Sequence, residues 1–347
     1  MMIPGEANSS TTEDSHPEAP SPADHSEICS LTAAWPVYAL SFTASPRAPL
    51  RLAFSSCIED PVNYIQIAQI SESAGQITSL ATFQHLYPPS KLMWIPDKQG
   101  NRPDLLATSG DGVRVWLYGP ETVLKTHLQG SKNGDFAGPL TSFDWNQTDL
   151  SLIAACSIDS TVTLWDLDRS VVKTQLIAHD REVFDIAFAP GINQFATASA
   201  DGSLRLFDLR SPEQSSVMFE NGDQTPLLRL AWNKVDAQYM AALSMDSAMV
   251  VVVDLRFPSV PVARLCGHQN NVNCVDWAPH SAFHMCTAGD DSQTLIWDLR
   301  RQVESTGSWD PLLSYTASAE VVSMQWAPMQ PEWIAIAFNR TIQALKV

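Results

Sequence analysis

Residues 294–298 read TLIWD, an alternating apolar run closed by an aromatic and an acid. The same word recurs upstream as VTLWD (162–166), LRLFD (204–208) and VVVVD (250–254). Weaker copies are YIQIA (64–68), VRVW (113–116) and IQALK (342–346). The position of Trp297 thus falls at 68, 116, 165, 207, 253, 297 and 345, with spacings of 42 to 49. Working outward, a second word precedes each copy: VYALSF (37–42), SKLMW (90–94), LTSFDW (140–145), VFDIAF (183–188), LLRLAW (227–232), VNCVDW (272–277) and VVSMQW (321–326). Between the two words lies a third apolar run, such as LIAACS (152–157), HMCTAG (284–289) or WIAIAF (333–338). Two independent ladders with one period and one count mark a repeat architecture.

The runs alternate with period two, are rich in Val, Ile, Leu and aromatics, and are bounded by Gly, Pro, Asp and Asn, which is strand chemistry. The chain is therefore read as all-β, with seven units of three or four strands. Four-stranded units at this period build a β-propeller. Eight of the eleven tryptophans lie on the ladders, where they fill space between blades; Trp35, Trp309 and Trp333 lie off them and are read as core or edge packing or as partner anchors.

Residues 1–27 differ from all that follows. They hold six acids (Glu6, Glu13, Asp14, Glu18, Asp24, Glu27) and no Lys or Arg. Such a segment buries too little apolar area to offset its ordering entropy, so 1–27 is expected to be a disordered acidic tail. The remaining 28–347 is read as the propeller: seven units of the observed period nearly fill it and leave no room for a second domain.

The chain carries 21 Lys and Arg against 38 Asp and Glu, a net charge of −17. That balance argues against direct nucleic-acid binding, which rests on clustered cations, and against an anionic membrane surface. No apolar run is long enough to span a membrane as a helix, and no secretory signal is read. Six cysteines without a C-x-x-C pair suit a reducing compartment, so a cytoplasmic and nuclear location is expected.

The closing words resemble the WD40 family. Trp165-Asp166 and Trp297-Asp298 are its namesake dipeptide, Gly267-His268 is the accompanying one, and Phe207-Asp208 and Val253-Asp254 are degenerate copies. The resemblance implies hydrogen-bonded tetrads within blades. His268, Thr287, Asp291 and Trp297 form a complete set; His179, Thr197 and Asp201 form a second that lacks the indole, because Phe207 stands there. These are read as structural. The seventh unit runs out after three strands, so Ile28 to Ala34 is expected to supply its outer strand and close the ring.

Longer segments resemble one WD40 subfamily, that of plant Transparent Testa Glabra and its animal relative, a cullin-4-associated WD40 factor. They include KLMWIPD (91–97), KTQLIAHDREVFDIAF (173–188), ADGSLRLFDLR (200–210) and QPEWIAIAFN (330–339). The resemblance implies a non-catalytic scaffold, monomeric within larger complexes. Its implied partners are dual-specificity tyrosine-regulated kinases, basic helix-loop-helix and MYB-type regulators, and the cullin-4 adaptor. An adaptor-docking word, WD-x-Arg, appears around Asp208 and Arg210, Asp298 and Arg300, and more weakly Asp254 and Arg256. Each Arg is read either as a docking contact or as the local partner of its own blade's acids.

Nothing nominates catalytic, metal-binding or cofactor-binding residues. There is no phosphate-cradling Gly-rich loop and no nucleophile elbow. Cys266, His268, Cys274, His280, His284 and Cys286 match no standard zinc spacing. The functions in competition are a scaffold for kinases and transcription regulators, a substrate receptor of a cullin-4 ubiquitin ligase, a histone or chromatin reader, and an enzyme. The last would require convergent titratable residues in the central channel.

Overall fold

A computed structural model describes residues 28–129, 138–302 and 307–347. The expected tail at 1–27 lies outside the described residues.

Strand β1 (Ile28–Thr32) comes first in the chain but last in the ring. Blade one is β2 (Val37–Phe42), β3 (Arg51–Ser56), β4 (Val62–Ser71) and β5 (Gln76–Leu86). Blade two is β6 (Leu92–Trp94), β7 (Leu105–Ser109), β8 (Val113–Leu117) and β9 (Val123–Leu128). Blade three is β10 (Leu140–Trp145), β11 (Leu152–Ser157), β12 (Thr161–Asp166) and β13 (Val171–Ile177). Blade four is β14 (Val183–Phe188), β15 (Gln194–Ser199), β16 (Ser203–Asp208) and β17 (Ser215–Glu220). Blade five is β18 (Leu227–Trp232), β19 (Tyr239–Ser244), β20 (Met249–Asp254) and β21 (Pro261–Cys266). Blade six is β22 (Val272–Trp277), β23 (His284–Gly289), β24 (Gln293–Asp298) and β25 (Leu313–Thr316). Blade seven holds β26 (Ser323–Trp326), β27 (Trp333–Phe338) and β28 (Thr341–Lys346), with β1 as its fourth strand.

The protein is an all-β, seven-bladed propeller of antiparallel four-stranded sheets, and no helix occurs among the described residues. Closure runs through β1 and β28, in register from Ile28 opposite Leu345 to Thr32 opposite Thr341. Cys29 is buried in the seam that results, and the Ala33 N–H donates to the Arg340 carbonyl at 2.7 Å. Without this strand, β28 would present an unpaired edge.

The apolar core is divided into seven clusters, one at each seam between adjacent blades. Trp145 and Trp165 fill the seam between blades two and three, Trp277 and Trp297 that between blades five and six, and Trp326 that between six and seven. Trp333, off the ladders, is fully buried at the start of β27 in the seam between blades seven and one. Gly267 follows from the same packing: a Cβ there would sit 2.6 Å from the Trp297 ring, so the glycine of the Gly-His pair is required by the tryptophan it faces.

A repeated irregularity shapes the centre. The pairing of inner and second strands shifts between Leu140 and Ser142, between Val183 and Asp185, between Leu227 and Arg229, and between Val272 and Cys274. A bulge inserts one residue and re-aims the side chains that follow. Here those are Ser142, Asp185, Arg229 and Cys274, all of which line the axial channel.

Candidate interaction surfaces and the axial channel

Antiparallel order gives the ring two ends. Loops from inner to second strands and turns from third to outer strands lie at one end, called lower here. Turns from second to third strands and crossovers between blades lie at the upper end.

The tetrad residues lie toward the upper end. In blade six, His268 Nδ1 sits 3.0 Å from Asp291, His268 Nε2 sits 2.7 Å from Thr287 Oγ1, and the Trp297 indole donates to the same Oγ1 at 2.9 Å. With a neutral imidazole every donor has an acceptor: Trp297 to Thr287, Thr287 to His268, His268 to Asp291. Burial works to raise the Asp291 pKa, and hydrogen bonds from Gln269 N–H and His268 hold it below its ordinary value. In blade four, His179 lies 2.8 Å from Asp201 and 2.7 Å from Thr197 Oγ1. There the Phe207 ring stacks on Phe195 with centroids 5.0 Å apart, so Thr197 accepts no indole.

Blade two holds a further network that sequence reasoning missed. His85 Nε2 lies 2.9 Å from Thr108 Oγ1, which also accepts the Trp116 indole at 3.1 Å. His85 Nδ1 faces the Tyr87 carbonyl at 2.8 Å rather than an aspartate. Asp111, the turn aspartate, is forked by Arg114 instead. The 11-residue β5 carries this histidine inside an outer strand, not in a crossover.

The WD-x-Arg words share one geometry on three consecutive blades at the lower end. Asp208 accepts the Arg210 backbone N–H and Nε, each at 2.9 Å, and Nη2 at 2.5 Å. Asp254 takes the Arg256 backbone N–H and Nε, each at 2.9 Å, and Nη2 at 2.6 Å. Asp298 takes the Arg300 N–H, Nε and Nη2, each at 3.0 Å. Arg256 also lies over the Tyr239 ring and Arg300 over Phe283. The fork from Arg210 holds the Asp208 carboxyl down at about 2. The aspartates recede while the guanidinium groups stand out; the Arg210 side chain is 71% exposed. Exposed Phe257 and Val260 follow Arg256 in the same turn. Each arginine is thus locally paired and still presents a face to solvent.

The axial channel encloses about 350 Å³ and contains the convergent charges that an enzyme reading would require. They are Lys91, Lys98, Arg229 and Lys234 with Asp144, Asp185 and Asp276. Sequence reasoning missed them. For Lys91, Asp144, Asp185, Arg229 and Asp276 the signal was a charged residue within an otherwise apolar inner-strand word; Lys98 and Lys234 lie beyond those words.

The carboxylates are committed to the frame. Asp144 accepts the N–H of Trp145 at 3.0 Å and of Phe188 on the next blade at 2.7 Å. Asp185 accepts Ile186 and Leu230, both at 2.9 Å, and the Ser142 hydroxyl at 2.5 Å. Asp276 accepts Trp277 and Trp326, both at 2.9 Å. Gln325 and Ser41 make the equivalent seam contacts to Phe42 and Trp94. Side chains of the inner strands therefore stitch blade to blade. Burial pushes the Asp276 pKa up to about 6, against the pull of those two N–H groups, Lys234 and Lys91. Burial disfavours charge on Lys91 too, but Asp185 and Asp144 overcome it and raise its pKa; for Lys234, burial wins and the pKa falls.

The cysteine and histidine cluster is not gathered into one place. Cys266 is exposed on the outer strand of blade five, whereas Cys274 and Cys286 are buried in the seam between blades six and seven. Burial raises the Cys274 thiol to about 12, which disfavours the thiolate a metal would need.

Comparison with known proteins agrees with this architecture. The WD domain, G-beta repeat family matches residues 123–166, 170–208 and 259–298. Each match begins in or just before the outer strand of one blade and ends with the third strand of the next, so each sequence repeat straddles a seam. The chain is 48% identical over 322 residues to the DDB1- and CUL4-associated factor 7 homolog of Dictyostelium discoideum, covering 92% of this chain and 98% of that protein. It is 32% identical to an uncharacterized WD repeat-containing protein of Schizosaccharomyces pombe, over 92% of this chain and 90% of that one. It is 33% identical to a WD repeat-containing protein of Saccharomyces cerevisiae, over 84% of this chain and 62% of that one. With blade number, ring closure and near full-length identity in agreement, the chain belongs to the WD40-repeat family that includes the DDB1- and CUL4-associated factor 7 homolog.

Proposed function

We propose that the protein is a non-catalytic scaffold that assembles protein kinases and transcription regulators, including basic helix-loop-helix and MYB-type proteins. The observation that carries this reading is the division of labour in the ring. The seam carboxylates are spent on backbone N–H groups, and the loops and forked arginines face outward. The likeness to plant Transparent Testa Glabra and to a kinase-binding animal factor belongs to this proposal, as do a cytoplasmic and nuclear location and a monomeric ring. Affinity purification from the native organism with mass spectrometry tests it. Recovery of kinases or such regulators at near-stoichiometric levels is the expected result; a catalogue lacking both classes overturns it.

A second reading, a substrate receptor of a cullin-4 ligase, is favoured by the arginine forks and by the name of the Dictyostelium relative. Arg210, Arg256 and Arg300 would dock the adaptor, each held in place by Asp208, Asp254 or Asp298. Pulldown with purified DDB1 tests it. The triple Arg→Ala protein should lose retention while circular dichroism shows the propeller still folded. Retention equal to wild type removes the arginines from docking this adaptor. A histone or chromatin reader rests only on the acidic charge; binding of basic peptides that vanishes at moderate salt would reduce it to non-specific attraction.

A further inference from the structure

The channel is lined by four of the chain's 21 basic residues and by three acids, in a protein of net charge −17. The two signs are not presented alike. All six oxygens of Asp144, Asp185 and Asp276 accept a backbone N–H. The carboxylates of Asp185 and Asp144 are 5% and 11% exposed. The cations face the lumen instead. The Lys91 and Lys234 side chains are 33% and 27% exposed, and Arg229 is exposed to the channel interior.

Several neutral side chains of the lining are committed as well. Gln325 takes the Phe42 N–H, Ser323 the Leu40 N–H, and Ser142 donates to Asp185. Donors are left over. Arg229 spends Nη1 on the Leu228 carbonyl at 3.1 Å and shares a hydrogen bond with the Tyr38 side chain. Lys91 reaches from blade two to Ser142 at 3.2 Å and to Asp185 of blade four at 3.5 Å. Lys234 donates to the Phe188 carbonyl and lies 3.6 Å from Asp144. Guanidinium and ammonium groups each carry more N–H donors than these contacts use. A ligand entering the channel therefore meets spare charged donors and few spare acceptors.

We propose that the axial channel binds a phosphate group through Arg229, Lys91 and Lys234, with Lys98 as an added positive charge in the lining. Arg229 offers the planar fork that matches phosphate oxygens, and the lysines add point charges. A volume of about 350 Å³ admits a small phosphorylated molecule or one phosphorylated side chain at the end of a peptide. Cationic ligands are disfavoured because four cations line the channel against three carboxylates that already hold backbone N–H groups.

The test is calorimetric titration of the full chain with sodium pyrophosphate, with a phosphoserine peptide, and with the same peptide carrying Asp in place of phosphoserine. Saturable one-to-one binding of pyrophosphate, of the phosphopeptide or of both is expected, and which one binds identifies the source of the phosphate. Arg229→Gln should weaken it by about tenfold or more, since a charge-assisted fork is lost. Lys234→Met is a second variant expected to weaken binding, with its fold checked by circular dichroism. Absence of saturable binding to either phosphate probe overturns the proposal. So does binding that Arg229→Gln leaves unchanged, or equal binding of the Asp peptide.

Discussion

Asp185 accepts the backbone N–H of Leu230 across a blade seam, at 2.9 Å, while its other oxygen holds Ser142 and Ile186. One side chain thus joins three blades, and Lys91 of blade two brings in a fourth member of the ring-centre network. Replacing Asp185 by Ala orphans those donors and leaves the Lys91 ammonium only Asp144 as a nearby carboxylate. Breaking one side of a buried pair typically costs about 3–5 kcal/mol. Urea denaturation should show a loss of that size, well beyond that for Asp→Ala at the exposed Asp180.

The Thr287 hydroxyl has two partners, accepting from Trp297 and donating to His268, whereas Thr197 has only His179, because Phe207 replaces the indole in blade four. Thr→Val keeps the shape and removes the hydroxyl. Each buried group left unsatisfied costs about 1–3 kcal/mol. Thr287→Val should therefore destabilise more than Thr197→Val. Equal losses in matched denaturation curves would contradict the shared-hydroxyl arrangement.

Asp276 carries the pH signature of the channel. Burial places its folded pKa at about 6, against an unfolded value of about 3.9. Between those values the folded chain binds more protons than the unfolded one, so its contribution to stability is largest at the acid side and falls as pH rises from about 4 to 6. The drop is on the order of 2–3 kcal/mol. Asp201, Asp291 and Asp159, whose pKa values are depressed, lose their contribution at lower pH, as they protonate below about 4. The stability difference between wild type and Asp276→Asn should change across pH 4–6 and stay flat above about 6.5. A pH-independent difference would place the Asp276 titration elsewhere.

Ring closure by β1 predicts an asymmetry between two truncations. A chain starting at Ser26 keeps all five β1 pairs with β28; one starting at Val37 loses them and uncovers the seam around Cys29. The shorter chain should lose cooperative unfolding and the longer one should not. Identical melting curves would show that β1 contributes nothing to closure.

The ladders made blade number and strand order legible because each seam needs an aromatic at one inward position, and that demand repeats in the sequence. Trp94, Trp145, Trp277 and Trp297 answer it directly. His85 was not legible, because its partner is the Tyr87 carbonyl and Asp111 is spent on Arg114. The channel was less legible still. The acceptor role of Asp144 depends on Phe188, that of Asp185 on Leu230 and that of Asp276 on Trp326, and no local window contains both partners. The re-aiming bulges at Ser142, Asp185 and Arg229 leave no mark on the alternation pattern.

The latch between β1 and β28 also sets a clock. Its partners lie at opposite ends of the described chain, from Thr32 and Thr341 outward. At about 5–20 residues per second, a ribosome needs tens of seconds between making the two strands. Throughout that interval β1 has no native partner and the nascent ring gapes at the seventh blade. A stall within the last blade would leave β1 without the strand it pairs with and one sheet edge exposed.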